Sequence, residues 1–253
     1  GVRLRYAAPT KTNANLLVQI VAQEGKAVYG AQESKPAVEL EDSSKLDALI
    51  EESCLSNDGA REFQVDYKIK EIRSEQMAWN QPQTQGMRDF GWSCILNELG
   101  HLNSNHMTSK VPALWARDST NWMWQTAWWA PLPRQHVKVG DAWSTEVQAH
   151  CSLPEKPDGF PVSFRLTEKL VRVSDVQGLQ LAEFDIQGPI SSSAAEISGT
   201  YRAKSMFSLL DQRCLATQFS CELAGSIPLK VGGQEMKIAY RQAVEGTMAR
   251  GSK

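Results

Sequence analysis

Strict alternation of apolar and polar side chains constrains this chain more than any other feature. In residues 62–72 (EFQVDYKIKEI), Phe63, Val65, Tyr67 and Ile69 fall on one side, and Gln64, Asp66, Lys68 and Lys70 on the other. FPVSFRL repeats the pattern with Phe160, Val162, Phe164 and Leu166. Successive strand residues point to opposite faces, so a period of two marks a half-buried strand. After Gly178, Leu179 and Leu181 give way to Phe184 and Ile186, a change of phase that reads as a bulge. The last hundred residues consist mostly of such segments, parted by the turns SDVQG, GPISSSAAE, LDQR and KVGGQ. The expected fold is all-β: mainly antiparallel strands, as a sandwich or an open, half-barrel sheet, with one or two short helices.

One helix is expected after Ser44. With Asp47 three residues on, Ser44 makes a capping box, and Leu46, Leu49, Ile50 and Cys54 follow at helical spacing before the SNDG turn. Residues 77–133 behave differently, with Gln-, Asn- and Gly-rich turns, little periodicity, and seven of the eight tryptophans. They read as an insertion joining halves 1–76 and 134–253 of a single β-rich domain, 1–253, with one continuous core. Val2, Leu4 and Tyr6 alternate as well and need a partner sheet that the nearby helix cannot offer.

Charge and motifs argue against several functions. The 27 basic and 29 acidic side chains nearly cancel, which leaves no electrostatic footprint for a nucleic acid. The apolar runs fall far short of the ~20 residues that cross a bilayer as a helix, so no transmembrane segment is expected. Residues 2–6 (VRLRY) lack the apolar core of a signal peptide, which fits a cytosolic protein or a mature exported one. Five cysteines, Cys54, Cys94, Cys151, Cys214 and Cys221, contain no CxxC and read as small buried hydrophobes.

Candidate reaction centres fail on geometry. His101 and His106 fall about 140° apart on a helix and on opposite faces of a strand. His150 and Cys151 are adjacent and cannot face one another as a dyad. Cys214 and Cys221, an odd number of residues apart, are expected on opposite faces of one strand and unbridged. Glu39, Glu41 and Asp42 read as a solvated edge. There is no GxSxG, HExxH or Gly-rich phosphate loop, and neither a metal nor an organic cofactor is expected.

Residues 121–144, NWMWQTAWWAPLPRQHVKVGDAWS, hold five tryptophans. Read as a strand, the segment puts Trp122, Trp124 and Trp128 on one face and Trp129 with Met123 on the other. A stripe on both faces cannot stand wholly in water, because each exposed ring forgoes on the order of 2 kcal/mol. Trp143 and about half of the cluster are therefore expected to plug one end of the core. The remaining rings, Trp128 or Trp129 among them, would form an exposed ledge for a sugar or a partner protein.

The most specific phrase is LPRQHVKVGDAWSTEV, residues 132–147. It describes a Pro-stiffened loop, a short strand, a turn at Gly140-Asp141, and a strand led by Trp143. It resembles a family of exported bacterial β-rich domains of unknown function, many of them predicted lipoproteins, which carry an LP…VKVGDxW motif. NDGAREFQVDYKIKEIR (residues 57–73) and the hairpin MFSLLDQRCLATQFSCELAG (residues 206–225) extend the resemblance, although Arg213 stands where a glycine is common. The resemblance implies an extracytoplasmic, mature protein after signal removal, and it carries over no catalytic residue. The expected function is a non-enzymatic binding or scaffolding module of the cell envelope whose partner is another envelope protein or a glycan. The alternatives are a carbohydrate- or lipid-binding domain, or a hydrolase with dispersed carboxylates such as Asp118 or Asp141.

Overall fold

A computed structural model of the chain describes residues 1–7, 14–30, 35–36, 38–56, 62–74, 88–107, 126, 128–153, 156–193, 195–231 and 233–251. The strands are β1 (Ala14–Gly30), β2 (Val38–Ser56), β3 (Glu62–Ser74), β4 (Gly91–Asn97), β5 (Leu102–Met107), β6 (Ala142–Leu153), β7 (Lys156–Val176), β8 (Leu179–Ser191), β9 (Glu196–Ser208), β10 (Arg213–Val231) and β11 (Gln234–Arg250). They form one antiparallel sheet in the order β5-β4-β3-β2-β1-β11-β10-β9-β8-β7-β6. Every sheet neighbour is also a sequence neighbour except at the middle. There the first and last strands pair, from Leu16 opposite Arg250 to Gly30 opposite Met236. The two edges, β5 and β6, follow one another in the chain, so the meander is open between them.

The alternation seen in the sequence sets the inward face. β3 buries Phe63, Val65, Tyr67 and Ile69, and β7 buries Phe160, Val162, Phe164, Leu166 and Leu170. These join residues from both ends of the chain in one apolar cluster. The sheet is strongly curled, as the aromatic rings show. Phe63 of β3 lies 5.9 Å from Trp129, Trp129 lies 4.9 Å from Tyr6, and Tyr6 lies 5.2 Å from Phe207 of β9. In a flat sheet, the five spacings between β3 and β9 would separate them by about 24 Å. Glycine permits the tightest part of the curl. A Cβ on Gly188 would collide with the carbonyl oxygen of Arg165 in the next strand, and one on Gly199 with that of Glu222.

Several expectations are corrected. The helix after Ser44 is the strand β2, and among the described residues helical geometry is confined to Thr126 and Trp128. β2 pairs with β1 from Val38 to Glu52 and with β3 from Leu46 to Ser56, so its backbone bonds go to neighbours rather than back along a helix. Asp47, instead of capping, accepts a bond from Gln19 across the ladder at 2.9 Å. The stretch 77–133 is not simply an insertion, because β4 and β5 carry the sheet into it.

Cys214 and Cys221 both face the core, because a bulge between Cys214 and Ala216 shifts the phase by one residue. The phase change near Leu181 has its extra residue across the ladder, in β7 between Leu170 and Arg172. At the turn of the 206–225 hairpin, Gln212 takes the left-handed region, with φ 52°, next to the Arg213 singled out in the sequence.

Alanine at Gly188 or Gly199 is expected to lower stability by about 1–3 kcal/mol in denaturant titration. Gly251→Ala is the control and should leave it unchanged, since the nearest atom to its Cβ is 3.5 Å away.

Candidate functional site

The mouth of the curled sheet is filled by the chain itself. Residues 1–7 and 128–137 cross it, tied together where Val2 and Val137 exchange backbone bonds of 2.8 and 3.0 Å. Leu4, Tyr6, Leu132 and Val137 are buried there. Trp128 and Trp129, of which one was expected at the surface, are 0% and 6% exposed. The Ala130-Pro131 bend that was expected to expose them instead turns the chain over the core. The Tyr6 hydroxyl donates to the carbonyl of Ala130 at 3.0 Å, and the backbone N–H of Leu132 donates to that of Leu99 at 2.8 Å. Trp122 and Trp124 lie outside the described residues.

Each indole of this plug is held by a polar bond. Trp129 Nε1 donates to the Tyr67 hydroxyl at 2.7 Å. Trp143, half-buried on β6, donates to the carbonyl of Pro131 at 2.9 Å and sets its ring edge-on to Phe184. Trp128 Nε1 donates to Glu52 Oε2 at 3.1 Å, and the Arg250 guanidinium lies 5.1 Å over its ring. Arg250 Nη1 stands 2.7 Å from Glu52 Oε1 without alignment for a hydrogen bond, while its Nε donates to the carbonyl of Cys214 at 2.8 Å. This ion pair joins β2 to the end of β11 beneath the plug. Buried, misaligned pairs repay little of their desolvation; they select one arrangement over others.

A second buried carboxyl lies at the β6 side. Glu168 of β7 is fully buried, accepts a 3.3 Å bond from Thr145 Oγ1, and has no partner for Oε1. Burial pushes its carboxyl up from 4.5 to about 8, and hydrogen bonds from Thr145 and Trp143 offset this only in part. Sequence reading missed Glu52, Glu168 and Arg250, yet the signal existed. Glu52 stands in register with Ile50 and Cys54, Glu168 with Leu166 and Leu170, and Arg250 with Val244 and Met248.

The remaining candidates have structural places. Gly140, at φ 96°, and Asp141 make the turn into β6, with Asp141 Oδ2 accepting from the Lys138 N–H at 2.8 Å. That carboxylate caps a turn; Asp118 lies outside the described residues. Glu39, Glu41 and Asp42 are exposed on β2, where Glu41 pairs with Arg241. His150 and Cys151 are successive residues of β6, and their side chains, like that of His106, lie outside the described ones. Burial pushes the thiols of Cys54, Cys94 and Cys214 up to about 12, which makes them poor nucleophiles. Among the described residues, no group of three or more His, Cys, Asp or Glu is placed to hold a metal.

Two surface grooves lie on the outward face, away from these buried charges. One, of ≈ 750 Å³, is lined by Gln23, Glu41, Ser43, Glu222 and Arg241. The other, of ≈ 650 Å³, is lined by Lys169, Asp185, Arg202, Lys204 and Glu245.

The edge strand β6 is only partly covered. Val147, Thr145 and Ala149 are half-buried, whereas their partners on β7, Phe164, Leu166 and Val162, are fully buried. No described strand pairs with the outer side of β6. Compared with family models and with curated proteins, the chain matches none.

Glu52→Leu or Arg250→Met alone is expected to cost about 3–5 kcal/mol, and the double variant to recover most of that loss, in a double-mutant cycle read by chemical denaturation. Glu168 holds its proton more tightly folded than unfolded. Its contribution is therefore intact below pH 4.5 and lost as pH rises to about 8. Each pH unit in that window removes up to about 1.4 kcal/mol. Glu168→Gln should flatten this decline in a pH series of thermal melts.

Proposed function

We propose that this chain is a non-enzymatic binding module of the bacterial cell envelope, exported, which engages another envelope protein by accepting a strand alongside β6. The observation that carries this reading is the β6 edge itself. Natural sheets blunt such edges with lysine, proline, bulges or short strands. β6 runs for 12 residues, from Ala142 to Leu153, contains no proline, and carries Glu146 as its one Asp, Glu, Lys or Arg. Its ladder with β7 stays in register from Ala142 to Cys151.

A strand added there would satisfy the outward backbone groups of β6 and cover Val147 and Ala149, giving affinity through the main chain and selectivity through alternate side chains. A protein partner is favoured over a glycan because Trp128 and Trp129 are buried and offer no stacking ledge. The envelope setting rests on the resemblance carried by residues 132–147. Inert buried thiols are compatible with an oxidising compartment.

The test places a photocrosslinking amino acid at Ser144 or Gln148 on β6, and at Glu245 on the outward face of β11, in the native host. β6 positions should give an adduct of defined mass, and position 245 should not. Ala149→Lys should abolish the adduct at a temperature where circular dichroism shows the variant folded. Equal adducts at all three positions, or an adduct that survives Ala149→Lys, would overturn the reading.

A further inference from the structure

Glu168 lies directly beneath the edge strand. It stands opposite Trp143 of β6 in the ladder, its Oε2 accepts from Thr145 of the same strand at 3.3 Å, and its Oε1 meets no donor among the described residues. The groups around it offer no positive charge. From β8 it faces the buried Ile186, and from the segment across the mouth it is close to the Tyr6 hydroxyl, behind which lies the Cys214 thiol of β10. Burial keeps both of these protonated, raising Tyr6 well above its usual value and Cys214 to about 12. The charged residues nearest to it along these strands, Glu146 of β6, Arg165 and Lys169 of β7 and Asp185 of β8, are exposed on the opposite, outward face.

Two strands flank β7, and they are unequally held. β8 is bonded on both sides, to β7 and β9, whereas β6 has β7 as its one neighbour among the described strands. The Leu170 N–H donates to the Asp141 carbonyl at 3.0 Å, and the ladder keeps its register from Ala142 to Cys151. Trp143, Thr145 and Val147 therefore aim their N–H groups at β7, while Ser144 and Glu146 aim theirs away from the sheet. Trp143 and Thr145 are only half-buried. Water reaches Glu168 at least cost by parting this stretch of β6, and that parting also withdraws Trp143 from the Pro131 carbonyl of the plug.

We propose that Glu168 is a protonation latch on β6: the neutral carboxyl lets residues 142–147 stay on β7 with their edge in register for a partner strand, and the charged carboxylate releases them. A buried carboxylate without a cation must gain water or move, and the element bonded to it along one side is the one that yields. The latch rests on the strand-addition reading and supplies its regulation, with the partner held in acid medium and let go as the medium turns alkaline. The sign follows from the raised carboxyl. Glu168 binds its proton more tightly closed than open, so closure is complete below pH 4.5 and weakens as pH rises to about 8.

The test is hydrogen exchange of the full chain, followed by NMR between about pH 5 and about pH 8 and corrected for the intrinsic rate. Protection of the Trp143, Thr145 and Val147 amides should fall by up to about tenfold per pH unit, while amides of the β1–β11 ladder keep theirs. Glu168→Gln should abolish this fall. If that variant fails to fold, Thr145→Val gives a second reading, because losing a bond that favours the charged form carries the decline to higher pH. Flat protection at these amides, a fall spread over the whole sheet, or the same fall in Glu168→Gln would overturn the latch. The photocrosslink at Ser144, repeated in suspended host envelopes at the two pH limits, separates the two readings. An adduct lost at the alkaline limit in the wild type and kept in Glu168→Gln supports both. Equal adducts at both limits sink the latch and leave strand addition standing, and no adduct at either limit sinks strand addition together with its regulation.

Discussion

The ladder between the first and last strands is the constraint on which the rest depends. Because β1 and β11 pair along nearly their whole length, the first and last strands meet in the middle of the sheet and its break falls between β5 and β6. A meander with that order would close into a barrel if β5 met β6. Instead the connecting residues supply the plug, and the inward face is satisfied by the chain's own tryptophans. The central pairing spans more than two hundred residues of sequence, so its loop-closure entropy must be met before most native contacts can form.

Within that frame, the polar groups under the plug act more as locators than as sources of stability. Trp128, Glu52 and Arg250 bring together the plug, β2 and the last residue of β11, and Arg250 reaches on to the carbonyl of Cys214 in β10. An aromatic plug sliding over an apolar face has many near-equivalent positions. An indole N–H that must find one buried carboxylate has few. Trp129 with Tyr67 and Trp143 with the carbonyl of Pro131 repeat this arrangement on either side.

The same topology leaves an open edge at β6, a main-chain feature defined by an absent neighbour among the described strands, and it suits a partner that can itself be a strand.

Alternation alone was enough to define β3 and β7 and their inward faces, because a period of two is imposed locally by backbone geometry. Phe63 to Ile69 and Phe160 to Leu166 could be assigned to the core without any knowledge of their neighbours. The Gly140-Asp141 turn was legible for the same reason, since a left-handed residue and a capping carboxylate act within four residues. What sequence could not supply was anything that depends on a distant partner. Residues 44–54 carry helical spacing and a capping box, and they are a strand because β1 and β3 offer hydrogen bonds on both sides. Cys214 and Cys221 share a face because of a bulge that no local pattern announces. Trp128 and Trp129 are buried because the sheet curls around them, and Glu52, Glu168 and Arg250 became a polar core only when that curl closed water out. Local chemistry determined which way each side chain points along its strand; long-range pairing, whose energy resides in residues far apart in the chain, decided what each one meets.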